Sequence, residues 1–276
     1  MELNEALAGK TYPESTYEVT DDAIAAYARA TNDPNERYLS RDVVASPVFP
    51  VVPAFASFMN AAMDPDLGAD VLRLVHGAEE HVLYRPIRPG DVLTVAPVLE
   101  SVERKDSGET FTVKAALTTA GGEVAAEVRG TMFIRGRGGA RRSAAVAADE
   151  GAEVVYEETT KVDDDQTQRY AEASGDHNPI HLDESVARMA GLPGIILHGM
   201  CTMAIAVKGA VDGLAGGDPT RVRRAGVRFS RPVLPGQELT TRFRRAEAGG
   251  GVETFSFTTH NPDGKAVITN GVVEIA

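Results

Sequence analysis

The chain is 276 residues long, 43% hydrophobic and 25% charged, with a formal net charge of −12. That balance describes a folded protein with room for two domains, and it argues against nucleic acid as the main partner because phosphate recognition needs a basic surface. A single cysteine, Cys201, excludes an intramolecular disulfide and a cysteine-type metal site.

The segment Met1–Glu5 lacks the basic-then-apolar pattern of a signal peptide, and no apolar run approaches 18 residues. A cytoplasmic protein without membrane contact is expected. Thr20 is placed to cap a short first helix. A polar loop with Asp33 follows, then an apolar stretch, Pro47–Phe55, that opens a longer helix. Alternating strands over Leu93–Arg104, Thr110–Thr119 and Glu123–Ile134 complete the first half. Residues 135–148 are rich in Gly, Arg and Ala without apolar periodicity, which suits a linker with a boundary near residue 145. The order then recurs: a short helix with Asp163 as candidate cap, a polar loop, a helix through Met200–Val211, and strands Leu239–Arg245, Val252–His260 and Lys265–Ile275. The turn Asn261-Pro262-Asp263-Gly264 joins the last two as a hairpin.

The recurrence is a duplication. Residues 17–33 and 160–176 share seven of 17 positions, among them Tyr27 with Tyr170 and Asp33 with Asp176. A second match aligns Arg85-Pro86-x-x-Pro89-Gly90-x-x-Leu93-Thr94 with Arg231-Pro232-x-x-Pro235-Gly236-x-x-Leu239-Thr240. Two matches in one order at nearly one offset mean two copies of a domain, 1–140 and 150–276. A helix ahead of antiparallel strands in each copy reads as α+β, the sheet wrapped on the helix.

The most informative loop runs Ser174-Gly175-Asp176-His177-Asn178-Pro179-Ile180-His181. Gly175 ends the short helix, and Pro179 fixes the backbone. Asp176 and His181, five apart, would diverge on a helix, but such a loop can aim both at one water as an acid/base pair. Asp, Asn and Pro are also ordinary turn formers, so a simple cap and turn is the other reading. Downstream, Ile195-Ile-Leu-His198-Gly199-Met200 places Gly199 at a helix start, where free N–H groups and the dipole favour an oxyanion. His198 reads as a structural histidine.

Together SGDHNPIHLD and ILHGMCT, 18 residues apart from His181 to Gly199, resemble the hydratase 2 motif of MaoC-like dehydratases. VRFSRPVLPGQ with Phe229, and in the first copy Leu74-Val-His76-Gly77 with Tyr84-Arg85-Pro86, are similar to the same family, in particular the hydratase 2 unit of peroxisomal multifunctional enzyme type 2. The resemblance implies a double hot dog, antiparallel sheets each wrapped on a central helix. It also implies an (R)-specific enoyl-CoA hydratase: reversible syn addition of water to a trans-2-enoyl-CoA, giving the (3R)-3-hydroxyacyl-CoA, without metal or cofactor. Asp176 and His181 would hold the water and the Gly199 N–H would polarise the thioester. His76, Gly77, Lys105, Asn178 and Phe229 would contact the acyl-CoA, in what is expected to be a homodimer. Which of Asp176 and His181 protonates C2 stays open.

The first copy has Tyr38 where His181 should be, and its Pro47–Phe55 segment puts Ala54 near the place of Gly199. It is expected to be a degenerate half that shapes the acyl pocket, with Ala54, Ala56, Ser57, Ala61 and Ala62 leaving a wide cavity. Three alternatives share the fold: a 3-hydroxyacyl-[acyl carrier protein] dehydratase, a non-catalytic acyl-CoA-binding protein, and a thioesterase. Intact Asp176, His181 and Gly199 speak against the second, and the Asp-x-Asn-Pro-x-His loop against the third.

Overall fold

The computed structural model describes residues 2–40, 42–71, 73–105, 108–135, 152–249 and 251–276, and the side chains of 105, 135 and 247–249 lie outside that description. Most of the expected linker, with its boundary near 145, likewise falls outside the described residues.

Among the described residues, ten strands form one antiparallel sheet. They are β1 (Ser15–Glu18), β2 (Leu74–Leu83), β3 (Val92–Lys105), β4 (Gly108–Thr119), β5 (Val124–Arg135), β6 (Val154–Lys161), β7 (Val222–Phe229), β8 (Glu238–Gly249), β9 (Val252–His260) and β10 (Ala266–Ile275). Their order, β1-β3-β4-β5-β2-β7-β10-β9-β8-β6, reads the same from either end once the second five are renumbered as a copy of the first. The halves meet where β2 and β7 pair, Glu80 opposite Gly226. Two apolar helices lie in the sheet's embrace: α2 (Val51–Ala62) packs on β3, β4 and β5, and α5 (Gly199–Gly213) on β6, β7, β8 and β10. This is the expected double hot dog.

Two shorter helices, α1 (Asp21–Ala30) and α3 (Gln166–Ser174), pack on one another across the halves, and α4 (Glu184–Met189) follows the site loop. Thr20 caps α1, its hydroxyl accepting the Ala23 N–H at 3.1 Å. The two repeated sequence segments turn out to be bonded to each other. Gly90 N–H donates to Val19 C=O at 2.8 Å, and Gly236 N–H to Val162 C=O at 2.9 Å; Val19 and Val162 N–H return bonds to Asp91 and Gln237.

Several expectations need correction. Asp163 does not cap α3; its carboxylate is drawn to Arg169 (2.7 Å) and Asn32 (2.9 Å), and Asp165 stands at the cap position without a side-chain capping bond, its carboxylate accepting from Arg169 Nε at 3.1 Å. α5 begins at Gly199 and runs to Gly213, beyond the expected Met200–Val211. α2 starts at Val51, so Val51 holds the helix position that Gly199 holds in the second half, and Ala54 lies one turn further in. Ala54 and Ala61 are fully buried and Ser57 nearly so, which makes them core. The cavity face of α2 is instead Val51, Phe55, Phe58, Met59 and Ala62, at helical spacing.

Candidate active site

The loop after α3 is a ladder of side-chain-to-backbone hydrogen bonds. Gly175 adopts φ 78° and returns its N–H to Ala171 at 2.9 Å, the left-handed cap that a side chain would strain. The Ser174 hydroxyl accepts the Asp176 N–H (3.2 Å), Asp176 Oδ1 accepts the Asn178 N–H (3.1 Å), and Asn178 Oδ1 accepts the Ile180 N–H (3.3 Å). Pro179 then opens a single 3-10 turn, Pro179–His181. The cap-and-turn reading and the chemical reading are therefore compatible. The turn engages Oδ1 of Asp176 and leaves Oδ2 available.

His181 comes out of this turn buried, its Nδ1–H donating to the Ile196 carbonyl at 2.8 Å. That bond fixes the tautomer and leaves Nε2 bare. Burial holds the imidazole's proton affinity below its ordinary range, while the Asp176 charge pulls it part of the way back. A neutral imidazole with a free Nε2 is a base. His198 stacks on it, ring centroids 3.8 Å apart, and donates Nε2–H to the Asp176 carbonyl at 3.0 Å. Burial first, then the neighbouring His181, pushes His198 down to about 3. It stays neutral, carries the loop, and adds no positive charge beside His181. One ligating atom from each of Asp176, His181 and His198 lies within 4.8 Å of the others. Such spacing could hold a metal, each imidazole offering the nitrogen not bonded to a carbonyl.

Lining the same cavity, Gly199 is the first residue of α5, where helical geometry gives its N–H no intrahelical acceptor. Phe229, at the end of β7, lies over it: a Cβ on Gly199 would meet the ring at 3.3 Å. His76 faces that ring edge-on at a centroid distance of 5.2 Å. Asp176, His181, Gly199, His76, Gly77, Asn178 and Phe229 all line one cavity. Gly77 sits at a register shift in β2, with the Thr131 carbonyl 3.2 Å from where its Cβ would be. Asn178 is exposed on the rim. Lys105 ends β3, and its side chain lies outside the described residues.

Sequence patterns did not single out Tyr170, whose buried ring supports His198 at 4.8 Å, nor Glu79 and His81, both buried behind His76 and joined to it by hydrogen bonds through Glu79. The Tyr27–Tyr170 match between the copies marked the first. Charged residues in an otherwise strand-like run, His76-x-x-Glu79-x-His81, were the available sign of the others.

Comparison with known proteins identifies the family. The model of the MaoC like domain matches residues 145–264, and that of the FAS1-like dehydratase domain region matches residues 6–128. The chain is 32% identical over 214 residues to 3-hydroxyacyl-thioester dehydratase Y of Mycobacterium tuberculosis, covering 73% of this chain and 72% of the relative. It is 28% identical over 267 residues to the peroxisomal enoyl-CoA hydratase 2 of Arabidopsis thaliana (86% and 85%). To mouse peroxisomal multifunctional enzyme type 2 it is 29% identical over 246 residues, 86% of this chain but 32% of that much longer protein. The structure of a MaoC-like dehydratase from Phytophthora capsici superposes with a TM-score of 0.86 at 24% identity, covering 99% of this chain and 98% of that one. Fold and site together define a double hot-dog hydro-lyase. The chain belongs to the MaoC-like dehydratase family.

Proposed function

We propose that the protein is an (R)-specific enoyl-CoA hydratase, adding water across the 2,3 double bond of a trans-2-enoyl-CoA and running the reverse dehydration. The observation that carries this reading is that Asp176 and His181 stand together on the wall of a cavity also lined by the open N-terminus of α5 at Gly199. A thioester carbonyl at Gly199 takes up the negative charge that develops when water attacks C3. One such donor contributes ~10²–10³-fold in rate, and a positioned acid or base ~10²–10⁴-fold.

Water sits between Asp176 Oδ2 and the bare His181 Nε2. Its hydroxyl forms the bond to C3 while its proton passes to the dyad, and C2 takes a proton from that same wall. Both additions come from one side of the double bond, so the addition is syn. The product is the (3R)-alcohol. His76, Gly77, Asn178, Phe229 and Lys105 serve as substrate contacts in this reading. The halves divide the work: residues 150–276 carry the chemistry, and residues 1–140 shape the acyl pocket through the α2 face of Val51, Phe55, Phe58, Met59 and Ala62. The Asp33 loop repeats the Asp176 ladder, Asp33 Oδ1 accepting the Asn35 N–H at 3.1 Å, but ends in Tyr38, which cannot replace an imidazole near neutral pH. A homodimer in the cytoplasm completes the proposal; no helix among the described residues is long and apolar enough to cross a membrane.

The test is incubation with crotonyl-CoA and longer enoyl-CoAs, following loss of the conjugated absorbance, with chiral analysis of the product. Absence of turnover on every chain length, or a mainly 3S product, would reject the reading.

A further inference from the structure

β2 carries a buried polar cluster that the hydration chemistry does not use. Glu79 and His81 have fully buried side chains. Glu79 Oε1 accepts from His81 Nε2 at 3.0 Å, and Oε2 from His76 Nε2 at 2.8 Å. His81 Nδ1 lies 3.2 Å from the Pro47 carbonyl. Both nitrogens of His81 thus face acceptors. Burial alone would raise the Glu79 carboxyl, but the bonds from His76 and His81 hold it below its ordinary range. Glu79 is therefore a carboxylate, held in the interior by hydrogen bonds from both imidazoles.

His76 is the member of this cluster that reaches the cavity, its side chain 22% exposed. A carboxylate can only accept, so His76 must donate Nε2–H to it. That bond leaves Nδ1 as the nitrogen of His76 that Glu79 does not engage. Packing gives the cluster little freedom. A Cβ at position 130 would stand 3.0 Å from Glu79 Oε2 and 2.8 Å from the Phe58 ring, so the glycine there admits both. The rings of Phe58 and Phe229 meet the His76 ring edge-on, at 6.2 and 5.2 Å between centroids.

We propose that Glu79 and His81 are positioning residues for His76, presenting its Nδ1 to the cavity as an acceptor for an amide N–H of the thioester's arm. This rests on the enoyl-thioester reading above. The enoyl tail has no hydrogen-bond donor, whereas the pantetheine arm carries amide N–H groups whether it ends in CoA or on a carrier protein. The contact is remote from the reacting carbons, so it acts on binding and leaves the chemical step alone.

The tautomer is read directly by ¹⁵N NMR of the histidine side chains in the wild-type protein. A protonated Nε2 with an unprotonated Nδ1 on His76 is expected; Nδ1–H or an imidazolium at neutral pH overturns the proposal. For kinetics, crotonyl-CoA is compared with S-ethyl thiocrotonate, which has no amide. His76→Ala is expected to raise KM for crotonyl-CoA about tenfold, the range of one neutral hydrogen bond, with kcat changed less than about twofold. On the ethyl thioester that KM increase should shrink to less than about twofold. Glu79→Gln and His81→Ala should each reproduce that KM change and add nothing to His76→Ala, and His81→Gln, which restores a donor to Oε1, should recover most of it. Losses that multiply, or that persist on the ethyl thioester, overturn the assignment. If Glu79→Gln does not fold, the wild-type tautomer and the His76→Ala comparison still decide. Wild-type protein inactive on crotonyl-CoA would instead reject the hydratase reading, and the NMR result would then stand by itself.

Discussion

Gly199→Ala separates stability from chemistry at the candidate site. The residue opens α5 with ordinary negative φ, so alanine adopts the same backbone and is the better helix former. Its methyl would meet Phe229 carbons at 3.3 to 3.4 Å, inside the ordinary carbon–carbon contact range. Moving the ring by a few tenths of an ångström relieves that contact, and the His76 ring lies 5.2 Å away between centroids. The folding cost is therefore under about 1 kcal/mol and is offset by helix propensity, so the melting temperature should hold. Activity should not hold. The N–H itself remains, but the methyl occupies the approach through which a thioester carbonyl reaches it. Complete loss of one such donor lowers turnover about 10²–10³-fold, which sets the ceiling, and a fall of about tenfold or more in kcat is expected. The assays are hydration of crotonyl-CoA by loss of conjugated absorbance, and thermal unfolding followed by circular dichroism. A kcat within twofold of wild type, with an unchanged melting temperature, would show that no carbonyl docks at the start of α5.

Asp176→Asn and His181→Ala should each lower kcat by about 10²–10⁴-fold with acyl-CoA binding nearly intact, because both act on water; near-normal turnover in either removes it from the dyad. The base form of His181 is the neutral one and its proton affinity is lowered, so activity should persist below the ordinary histidine range and fall only as pH drops through the folded value. A profile breaking above pH 6.5 would contradict this. His181 and His198, the latter pushed down to about 3, bind protons more tightly in the unfolded chain, so stability is full above about pH 6.5 and declines as pH falls toward 3. Denaturant titrations across that window check it, and a stability flat from 7 to 4 would count against buried neutral imidazoles. Asp33 is raised to about 6, chiefly by burial, so its ionisation costs the fold up to about 3 kcal/mol as pH rises from 3.8 through 6. Asp33→Asn should leave turnover within a few-fold and be more stable than wild type at pH 8 but not at pH 4; a loss of activity matching Asp176→Asn would make the first half catalytic.

How much could be read from the sequence depended on whether a pattern was local. The Asp176–His181 loop was legible because Gly175, Pro179 and Asn178 determine its shape within eight residues, and the structure adds only which oxygen the turn engages. Both repeated segments were legible as sequence matches, yet nothing in them said that each copy's two segments hydrogen-bond to one another 70-odd residues apart. Strands β1, β2, β6 and β7 escaped notice for differing reasons. β1 is four residues long at a sheet edge, and β6, at the other edge, alternates exposed with half-buried positions and has no buried residue to announce a core face. β7 is interrupted by exposed Arg228 and half-buried Arg223 and Arg224.

β2 is the instructive failure, since its polar residues point inward. A register shift between His76 and Ala78 resets the alternation, so that His76, Glu79 and His81 share one side although 76 and 79 differ by an odd number. Period-two reading would put His76 and Glu79 on opposite faces, scattering them as surface charges. A bulge is a property of two paired strands, here β2 against β5, and it cannot be seen in one of them alone. The space for the Glu79 carboxylate is made 51 residues later by a glycine on β5. What the sequence hid was therefore the register between strands, and that register is what joins Glu79 and His81 to His76 on the wall of the cavity that Asp176 and His181 also line.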